Sequence, residues 1–277
     1  MNCMLSRRLW MTALLAASTS VPALLGLSLA SAPATCLAAE SGAAAEQEYY
    51  ELRIYRNTDP AQQKVVGEYV QQALLPALGR QGIDRIGVFT PTGETKDASL
   101  YVLIPYRSLD QLGQQNAALA EDKAYQSAAA DFFALPKETP AYERIESRLM
   151  KAFAGMPVIE LPAESQKKAP RIFELRIYES HNADKARLKV EMFNKGEIDI
   201  MKAVKMAPVF YGETLISNDA PNLTYLLSAS DAAAHKEHWD AFRTHPDWDV
   251  MKKLDRYKDT VTKIHSVMLE PTAYSQI

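Results

Sequence analysis

Residues 50–57 read YELRIYRN and residues 173–180 read FELRIYES, so the pentapeptide ELRIY occurs twice, 123 residues apart. In both copies apolar residues alternate with charged or polar ones, which is the period-two pattern of a β-strand. A chance identity of this length is uncommon in a chain of 277 residues, and the similarity continues beyond the strand. The stretch therefore predicts an internal structural repeat.

The segments that follow each copy have the same order. A helical stretch with one apolar face comes first, at residues 61–80 and 182–205, and two strand candidates joined by turn residues follow it. A second helix, at residues 108–133 and 230–256, and a closing strand complete each copy. The order βαββαβ is that of a ferredoxin-like unit, in which two helices cover one face of a four-stranded antiparallel sheet.

A ferredoxin-like unit of this size leaves the other face of its sheet exposed to water, which is unfavourable when that face is apolar. Two units packed sheet to sheet remove the problem. We therefore predict an α+β fold of two tandem ferredoxin-like units packed sheet to sheet. The expected boundaries are residues 49–153 for the first repeat, 154–170 for a proline-containing linker and 171–277 for the second repeat.

The N-terminal segment, residues 1–39, differs from the rest of the chain. Two arginines precede an almost continuous run of apolar and small residues, which is typical of a secretory signal peptide. We expect cleavage near Ala39, with residues 30–32 as the alternative site, and a flexible segment over residues 40–48. The signal is Sec-type or twin-arginine, and an uncleaved membrane anchor is the competing interpretation. The expected location is periplasmic or extracellular, without a stable membrane span after cleavage.

The composition argues against several classes of protein. With 31 Lys and Arg against 34 Asp and Glu, the net charge is −3, so no nucleic-acid partner is expected. Both cysteines, Cys3 and Cys36, lie in the leader, and the processed chain would have no disulfide, zinc–thiolate site or cysteine nucleophile. No glycine-rich phosphate loop and no GxSxG motif occurs, which argues against nucleotide-binding and serine-hydrolase classes.

A ladder of charged and tyrosine side chains shares one face of each repeated strand. If helices cover the Leu and Ile face, the ladder points into the space between the sheets, as a polar pocket with arginine as a carboxylate clamp. The alternative role is structural, with Glu and Arg paired across the two halves to fix the register of the sheets. The ladder residues are Glu51, Arg53, Tyr55, Glu174, Arg176 and Tyr178.

All five histidines lie in the second half of the chain. His235 and His238 are three residues apart on a predicted helix and His245 follows, so one hypothesis is a metal site. No HExxH motif and no carboxylate pair at ligand spacing accompanies them, so the alternative is a solvated helix face, and we expect no metal. His265, on the last strand, could act as a general base in a cleft. The fifth is His181.

The repeated opening F/Y-E-L-R-x-Y and the segment HWDAFRTHPDW, residues 238–248, resemble the NIPSNAP family. The resemblance covers nearly the whole chain after the leader, although the first half has QNAALAEDKAYQ in the equivalent place, without tryptophan or proline. The family belongs to the dimeric α/β-barrel group, so the resemblance implies an intrachain dimeric α/β barrel. Three aromatic residues of the segment either line a ligand pocket or complete the core: Trp239, Phe242 and Trp248.

The resemblance does not name a reaction, because the barrel group includes cofactor-free monooxygenases, haem-handling proteins and proteins without known chemistry. We expect an exported binding or interaction protein with a small polar pocket in the barrel and no cofactor. The alternative is a small-molecule enzyme of this group, cofactor-free and monooxygenase-like or linked to haem. The expected partner is a small molecule or a protein, and a homodimer is a further option.

Overall fold

Both copies of ELRIY form a strand in the middle of a four-stranded antiparallel sheet. The protein is described by a computed structural model over residues 46–93 and 95–277, which belong to one structural unit. The predicted signal peptide and most of the predicted flexible segment lie outside the described residues. Within the described ranges, no helix has the length and apolar character needed to span a bilayer.

The first repeat has the predicted order of elements. Its first helical stretch contains a π turn, Val70–Leu74, and its second is divided into three short helices. Asp59 and Ser108 cap the two stretches by accepting hydrogen bonds from backbone N–H groups. The elements are β1 (Tyr49–Arg56), α1 (Pro60–Tyr69), α2 (Leu75–Arg80), β2 (Gly87–Pro91), β3 (Leu100–Tyr106), α3 (Leu109–Glu121), α4 (Lys123–Ala128), α5 (Ala130–Phe133) and β4 (Arg144–Ala152).

The second repeat follows the same plan at an offset of 123 residues. Its π turn, Phe193–Glu197, includes Gly196 at φ 155°, a conformation that favours glycine. Asn182 and Asp231 cap its two helical stretches. After a short linker helix, α6 (Ala163–Gln166), the elements are β5 (Ile172–Glu179), α7 (Ala183–Met192), α8 (Ile198–Ala203), β6 (Ala207–Ile216), β7 (Asn222–Ala229), α9 (Ala232–Arg243), α10 (Pro246–Met251), a 3₁₀ turn (Asp255–Tyr257) and β8 (Lys263–Pro271).

Strand pairing closes the two sheets into a single barrel, in the order β1-β3-β2-β8-β5-β7-β6-β4. Each repeat keeps the ferredoxin-like order within its own sheet, with its first and third strands in the middle. The edges of the two sheets then pair with each other, β2 with β8 and β4 with β6. Closure removes the exposed edges that an isolated sheet would present. The predicted α+β fold, an intrachain dimeric α/β barrel of two ferredoxin-like units, is confirmed.

The apolar face of each repeated strand points into the barrel. Leu52 and Ile54 of β1 lie in one buried cluster with Phe173 and Leu175 of β5. Across the barrel, the ring of Phe89 contacts that of Phe173 with centroids 4.9 Å apart. The inside of the barrel is therefore an apolar core to which both repeats contribute.

The ladder face points toward the helices instead. Tyr55 packs in the cluster beneath the helices of the first repeat, and Tyr178 packs in the corresponding cluster of the second. The prediction that the ladder lies between the two sheets is therefore wrong. The physical reason is that a closed barrel buries both faces of its strands, so alternation alone does not tell which face meets the helices.

Two segments between or before the repeats are attached to the barrel. Glu48, in the predicted flexible segment, is buried, forms an ion pair with Arg85 at 2.5 Å and accepts a hydrogen bond from Ile159 N at 2.9 Å. Ile159, in the predicted linker, packs in the barrel core. The end of the first segment and the middle of the linker thus belong to the folded unit.

Candidate functional site

A cavity of about 620 Å³ lies in the second repeat, between β5 and the helices α7, α9 and α10. Its volume falls within the roughly 300–1,000 Å³ that is usual for small-molecule sites. The wall combines aromatic rings with a few charged groups, the common composition of such sites. The lining residues are Glu174, Arg176, Tyr178, Lys189, Glu197, His235, Lys236, Trp239, Phe242, Arg243, Trp248, Val261 and Ile264.

Glu174 is the centre of the polar network at the base of the cavity. Its Oε1 accepts hydrogen bonds from Arg176 Nη1 and Ser266 Oγ, both at 2.5 Å. Its Oε2 bonds to His235 Nε2 at 2.8 Å and accepts from Trp239 Nε1 at 2.7 Å. A single buried carboxylate thus connects β5, β8 and α9, and it fixes the orientation of the groups around it.

The same contacts keep Glu174 ionised. Burial by itself would raise the pKa of Glu174. The hydrogen bond to His235, the charge of Arg176 and the hydrogen bond from Ser266 outweigh burial and lower the pKa to about 2. At neutral pH this carboxylate is therefore an anion with all its lone pairs engaged, which suits a positioning role better than proton transfer.

Arg176 lies against the aromatic wall of the cavity. Its Cζ is 4.5 Å from the ring centroid of Trp239 and 5.4 Å from that of Tyr178, which is cation–π geometry. Its Nε donates to Tyr178 OH at 3.3 Å, and this oxygen also accepts from Tyr225 OH at 2.7 Å. Burial raises the pKa of Tyr178 and of Tyr225, so both phenols stay protonated at neutral pH.

Each Glu–Arg pair of the ladder forms within its own strand. Arg176 pairs with Glu174, and Arg53 donates to both oxygens of Glu51 at 3.0 and 2.8 Å. Residues two apart on a strand point to the same side, so this pairing is local. The alternative prediction, in which the pairs connect the two halves, is therefore also wrong.

A second charged pair, Lys189 and Glu197, lines the cavity and is almost completely buried. Lys189 Nζ is 2.6 Å from Glu197 Oε2, and the two side chains are 6% and 2% exposed. The ammonium also lies 4.8 Å from the ring centroid of Phe193 and 5.5 Å from that of Trp248. Burial raises the pKa of Glu197, and the charge of Lys189 opposes this rise.

The aromatic residues of the HWDAFRTHPDW segment serve both predicted roles. Phe242 is buried in the helix-side core, while Trp239 and Trp248 are half-buried, pack against that core and line the cavity. The ring centroids are 5.6 Å apart between Trp239 and Phe242 and 4.6 Å apart between Phe242 and Trp248. The three rings thus form one continuous wall.

The corresponding region of the first repeat is filled. Glu51 accepts hydrogen bonds from Arg53 and Ser147, as Glu174 does from Arg176 and Ser266. Its remaining donor is Tyr106 OH at 3.1 Å. Above the ladder, Tyr69 stacks on Phe132 with centroids 4.0 Å apart and bonds to Tyr125 OH at 2.7 Å. A smaller cleft of about 220 Å³ lies among these helices, and none of Glu51, Arg53 and Tyr55 lines it.

The other histidines lie apart from the cavity. His265 faces the barrel side of β8 and bonds to Glu179, and the Nδ1 of His245 accepts from the N–H of Asp247 at the start of α10. No group of three or more His, Cys, Asp or Glu side chains suited to a metal occurs within residues 46–93 and 95–277. Of the histidines considered for a metal or a base, the structure brings only His235 into the site.

Sequence reasoning missed Lys189 and Glu197. A signal was present, because the offset of 123 residues aligns them with Val66 and Leu74 of the first repeat. A charged pair in one copy at positions that are apolar in the other is a local departure from the repeat. Such a departure indicates a difference in role between the two copies.

Comparisons with known proteins give the fold and the family. A candidate monooxygenase from Lactobacillus acidophilus NCFM is 9% identical, with a TM-score of 0.53 over 82% of this chain and 94% of that one. A candidate monooxygenase from Fusobacterium nucleatum subsp. nucleatum ATCC 25586 is 9% identical, with a TM-score of 0.50 over 82% of this chain and 93% of that one. An uncharacterised NIPSNAP-like domain protein from Burkholderia xenovorans is 20% identical, with a TM-score of 0.35 over 38% of this chain and 88% of that one. No curated protein matches significantly.

At these identities the first two structures support the barrel fold and carry no information about the reaction. The family model for NIPSNAP matches this chain twice, over residues 50–155 and 173–276. The two matches correspond to the two ferredoxin-like repeats and together cover most of the sequence. The chain therefore belongs to the NIPSNAP family.

Proposed function

We propose that this NIPSNAP protein is an exported binding protein that holds a small, flat and largely apolar molecule in the cavity of its second repeat. The observation that carries the proposal is the difference between the repeats. The same framework is filled by aromatic side chains in the first copy and leaves an open cavity of about 620 Å³ in the second. A cleft of about 600 Å³ between the linker and the end of β8 has no aromatic ring in its wall, so the aromatic lining, and not volume alone, marks the cavity of the second repeat as a ligand site.

The wall of the cavity indicates the chemical class of the ligand. Trp239, Phe242 and Trp248 offer faces on which a planar molecule can stack. The charged groups at the base already have partners, Arg176 with Glu174 and Lys189 with Glu197. A charged group placed at the base would lose hydration without gaining a free counter-ion. A neutral or weakly polar planar molecule therefore suits the site best.

Positioning rather than acid–base catalysis fits the state of Glu174. Its low pKa leaves it unable to hold a proton at neutral pH, and four neighbours use its oxygens. His235 is the histidine of the cavity wall, and its Nε2 is committed to Glu174. Axial ligation of a haem through that nitrogen would break this bond.

An enzyme acting on a small molecule is the second candidate. The observation that favours it is the buried Lys189–Glu197 pair, which places an amine and a carboxyl group at the wall of a ligand-sized cavity. Such pairs are common at functional sites, although structural ion pairs occur as well. This candidate shares its site with the binding function.

The proposed export rests on the leader pattern of residues 1–39. Expression of the full chain in an export-competent bacterial host should give a periplasmic product that starts near Glu40. The intact mass of that product checks the cleavage site. A full-length chain recovered only from the cytosol or the membrane would contradict the proposed export.

Calorimetric titration with naphthylmethanol, a flat apolar alcohol, tests the binding function. We expect saturable binding to the wild-type protein and loss of binding in Val261→Phe, which places a ring in the cavity without removing a charge. The matched control is Tyr69→Phe, which alters the filled region of the first repeat and should bind normally. Equal binding by wild type and Val261→Phe, or no binding by either, would overturn the proposal.

A further inference from the structure

The Lys189–Glu197 pair occupies two positions that are apolar in the first repeat. At the corresponding positions of the first repeat, Val66 and Leu74 are both 0% exposed and belong to the helix-side core. Removing two charges from water is costly, and apolar residues of similar size are often as good or better for stability. The first repeat shows that apolar residues can occupy these two positions. The charged pair in the second repeat therefore points to a role beyond packing.

The surroundings of Lys189 favour reaction as an amine. Its Nζ contacts Glu197 Oε2 at 2.6 Å and the Met192 sulfur at 3.5 Å, and aromatic rings enclose it. Low polarity disfavours a separated ammonium and carboxylate, and burial raises the pKa of Glu197. The 2.6 Å contact gives Nζ a direct path for passing a proton to Glu197, and the amine that loses this proton is the nucleophilic form of lysine.

From this arrangement we infer that Lys189 forms an imine with a planar aldehyde or ketone bound in the cavity, with Glu197 as the proton-transfer partner. The inference rests on the proposed function, because the carbonyl compound would occupy the same cavity. A neutral carbonyl compound also avoids the desolvation cost of a charged ligand at a site whose charges are already paired.

The atoms of the step balance without an oxidant or reductant. Glu197 takes one proton from the ammonium, and the freed nitrogen lone pair of Lys189 adds to the carbonyl carbon. Glu197 returns this proton to the carbonyl oxygen and then carries a second proton from the nitrogen to the same oxygen. The C–O bond breaks, and the oxygen leaves as water with two protons that began on nitrogen. The products are a protonated imine and one water, and Glu197 ends as the carboxylate it was at the start.

Lys236 provides an internal comparison. It lines the same cavity, but its side chain is 77% exposed and pairs with Asp240 on the surface of α9. An exposed lysine reacts with aldehydes only through its ordinary reactivity. Preferential modification of Lys189 over Lys236 would therefore report the buried environment and not the mere presence of an amine near the cavity.

Reductive trapping with peptide mapping tests the inference. The purified protein is incubated with naphthaldehyde and sodium cyanoborohydride, digested and analysed by mass spectrometry. We expect the naphthylmethyl label at Lys189 to exceed that at Lys236 by about tenfold or more, since a bound carbonyl reacts as a neighbouring group. Label at Lys236 and other exposed lysines without enrichment at Lys189 would overturn the inference, and this outcome needs no variant.

Two further measurements separate the inference from the proposed function. Naphthylmethanol has the same ring and cannot form an imine, so its binding with no enrichment at Lys189 would refute the imine and leave the binding site intact. Failure of the alcohol to bind, with uniform lysine labelling, would refute both. In Glu197→Gln, which keeps the Lys189 amine and removes the proton-transfer group, we expect the label at Lys189 to fall to the level seen at Lys236.

Discussion

The two repeats of this protein share a backbone plan and differ in what lies beneath their helices. In the first, Tyr69 and Tyr125 meet through their hydroxyl groups and the space above the ladder is filled. At the same offset the second repeat has Met192 and Trp248, and the space is open. The comparison teaches that the barrel requires two things of each repeat: a sheet that pairs with the other sheet, and helices that cover its outer face. The second copy is therefore free to carry a site.

The common part of the comparison is the Glu–Arg–Tyr ladder, which both repeats keep. Glu51 and Glu174 each accept hydrogen bonds from an arginine two residues on and from a serine of the repeat's last strand. Because this motif occurs with and without a cavity above it, its shared role is structural. The second repeat adds His235 and Trp239 to the same carboxylate, and so uses the structural motif to orient a wall of the cavity.

The largest effect is expected from breaking the charged pair that distinguishes the second repeat. Glu197→Leu alone leaves Lys189 buried without its partner and should lower the free energy of unfolding by about 3–5 kcal/mol. Lys189→Val/Glu197→Leu should recover wild-type stability or exceed it, since it restores the apolar pair seen at Val66 and Leu74. Urea unfolding of the three proteins measures both values. A double variant less stable than the single one would show that the second repeat needs its charges to fold.

An intermediate effect is expected from acid, through Glu174. Its folded-state pKa is about 2, below the ordinary 4.5, so its contribution to stability is present above pH 4.5 and is lost as pH falls toward 2. This contribution is roughly 3 kcal/mol. Unfolding measured as a function of pH should show a smaller loss of stability over this range in Glu174→Gln than in wild type.

The matched control for this titration is Glu138→Gln, which removes an exposed carboxylate of the first repeat. It should keep the wild-type dependence on pH. If Glu174→Gln also keeps that dependence, the carboxylate is not held as an anion by His235, Arg176 and Ser266.

The smallest effect is expected in the filled region. Tyr69→Phe removes one hydroxyl of the Tyr69–Tyr125 hydrogen bond and leaves the ring stacking on Phe132 in place. The expected loss is about 1 kcal/mol, the usual net value for such a bond. Thermal unfolding measures it, and naphthylmethanol binding should be unchanged. A change in ligand affinity would mean that the two repeats are coupled and cannot be assigned separate roles.

The fold could be predicted from the sequence because the sequence contains an internal repeat. ELRIY marks the central strand of each sheet, and the order of elements around it specifies two ferredoxin-like units. Which face of each strand points into the barrel could not be predicted from the sequence. Leu52 faces the barrel core and Tyr55 faces the core beneath the helices. Both environments are buried. The alternation of residue types distinguishes the two faces of a strand but does not show which one packs against the helices.

The site was accessible only in part. Glu174, Arg176, Tyr178 and the aromatic residues of the second repeat were predicted and lie together, while His265 was predicted and lies elsewhere. The difference lies in packing, because Tyr69 stacks on Phe132 in the first repeat, whereas Trp239 and Trp248 line open space in the second. Packing of this kind is a property of three-dimensional arrangement, and neither periodicity nor motif spacing encodes it.

The measurement that tests the central claim most directly is the ¹H–¹⁵N NMR spectrum of the tryptophan indoles during titration with naphthylmethanol. After residue 39 the chain has two tryptophans, Trp239 and Trp248, and both line the cavity. The account predicts that both indole signals shift with one common saturation curve, and that Val261→Phe abolishes the shifts. Binding of the alcohol that leaves both indole signals in place would contradict the assignment of the ligand site to the second repeat.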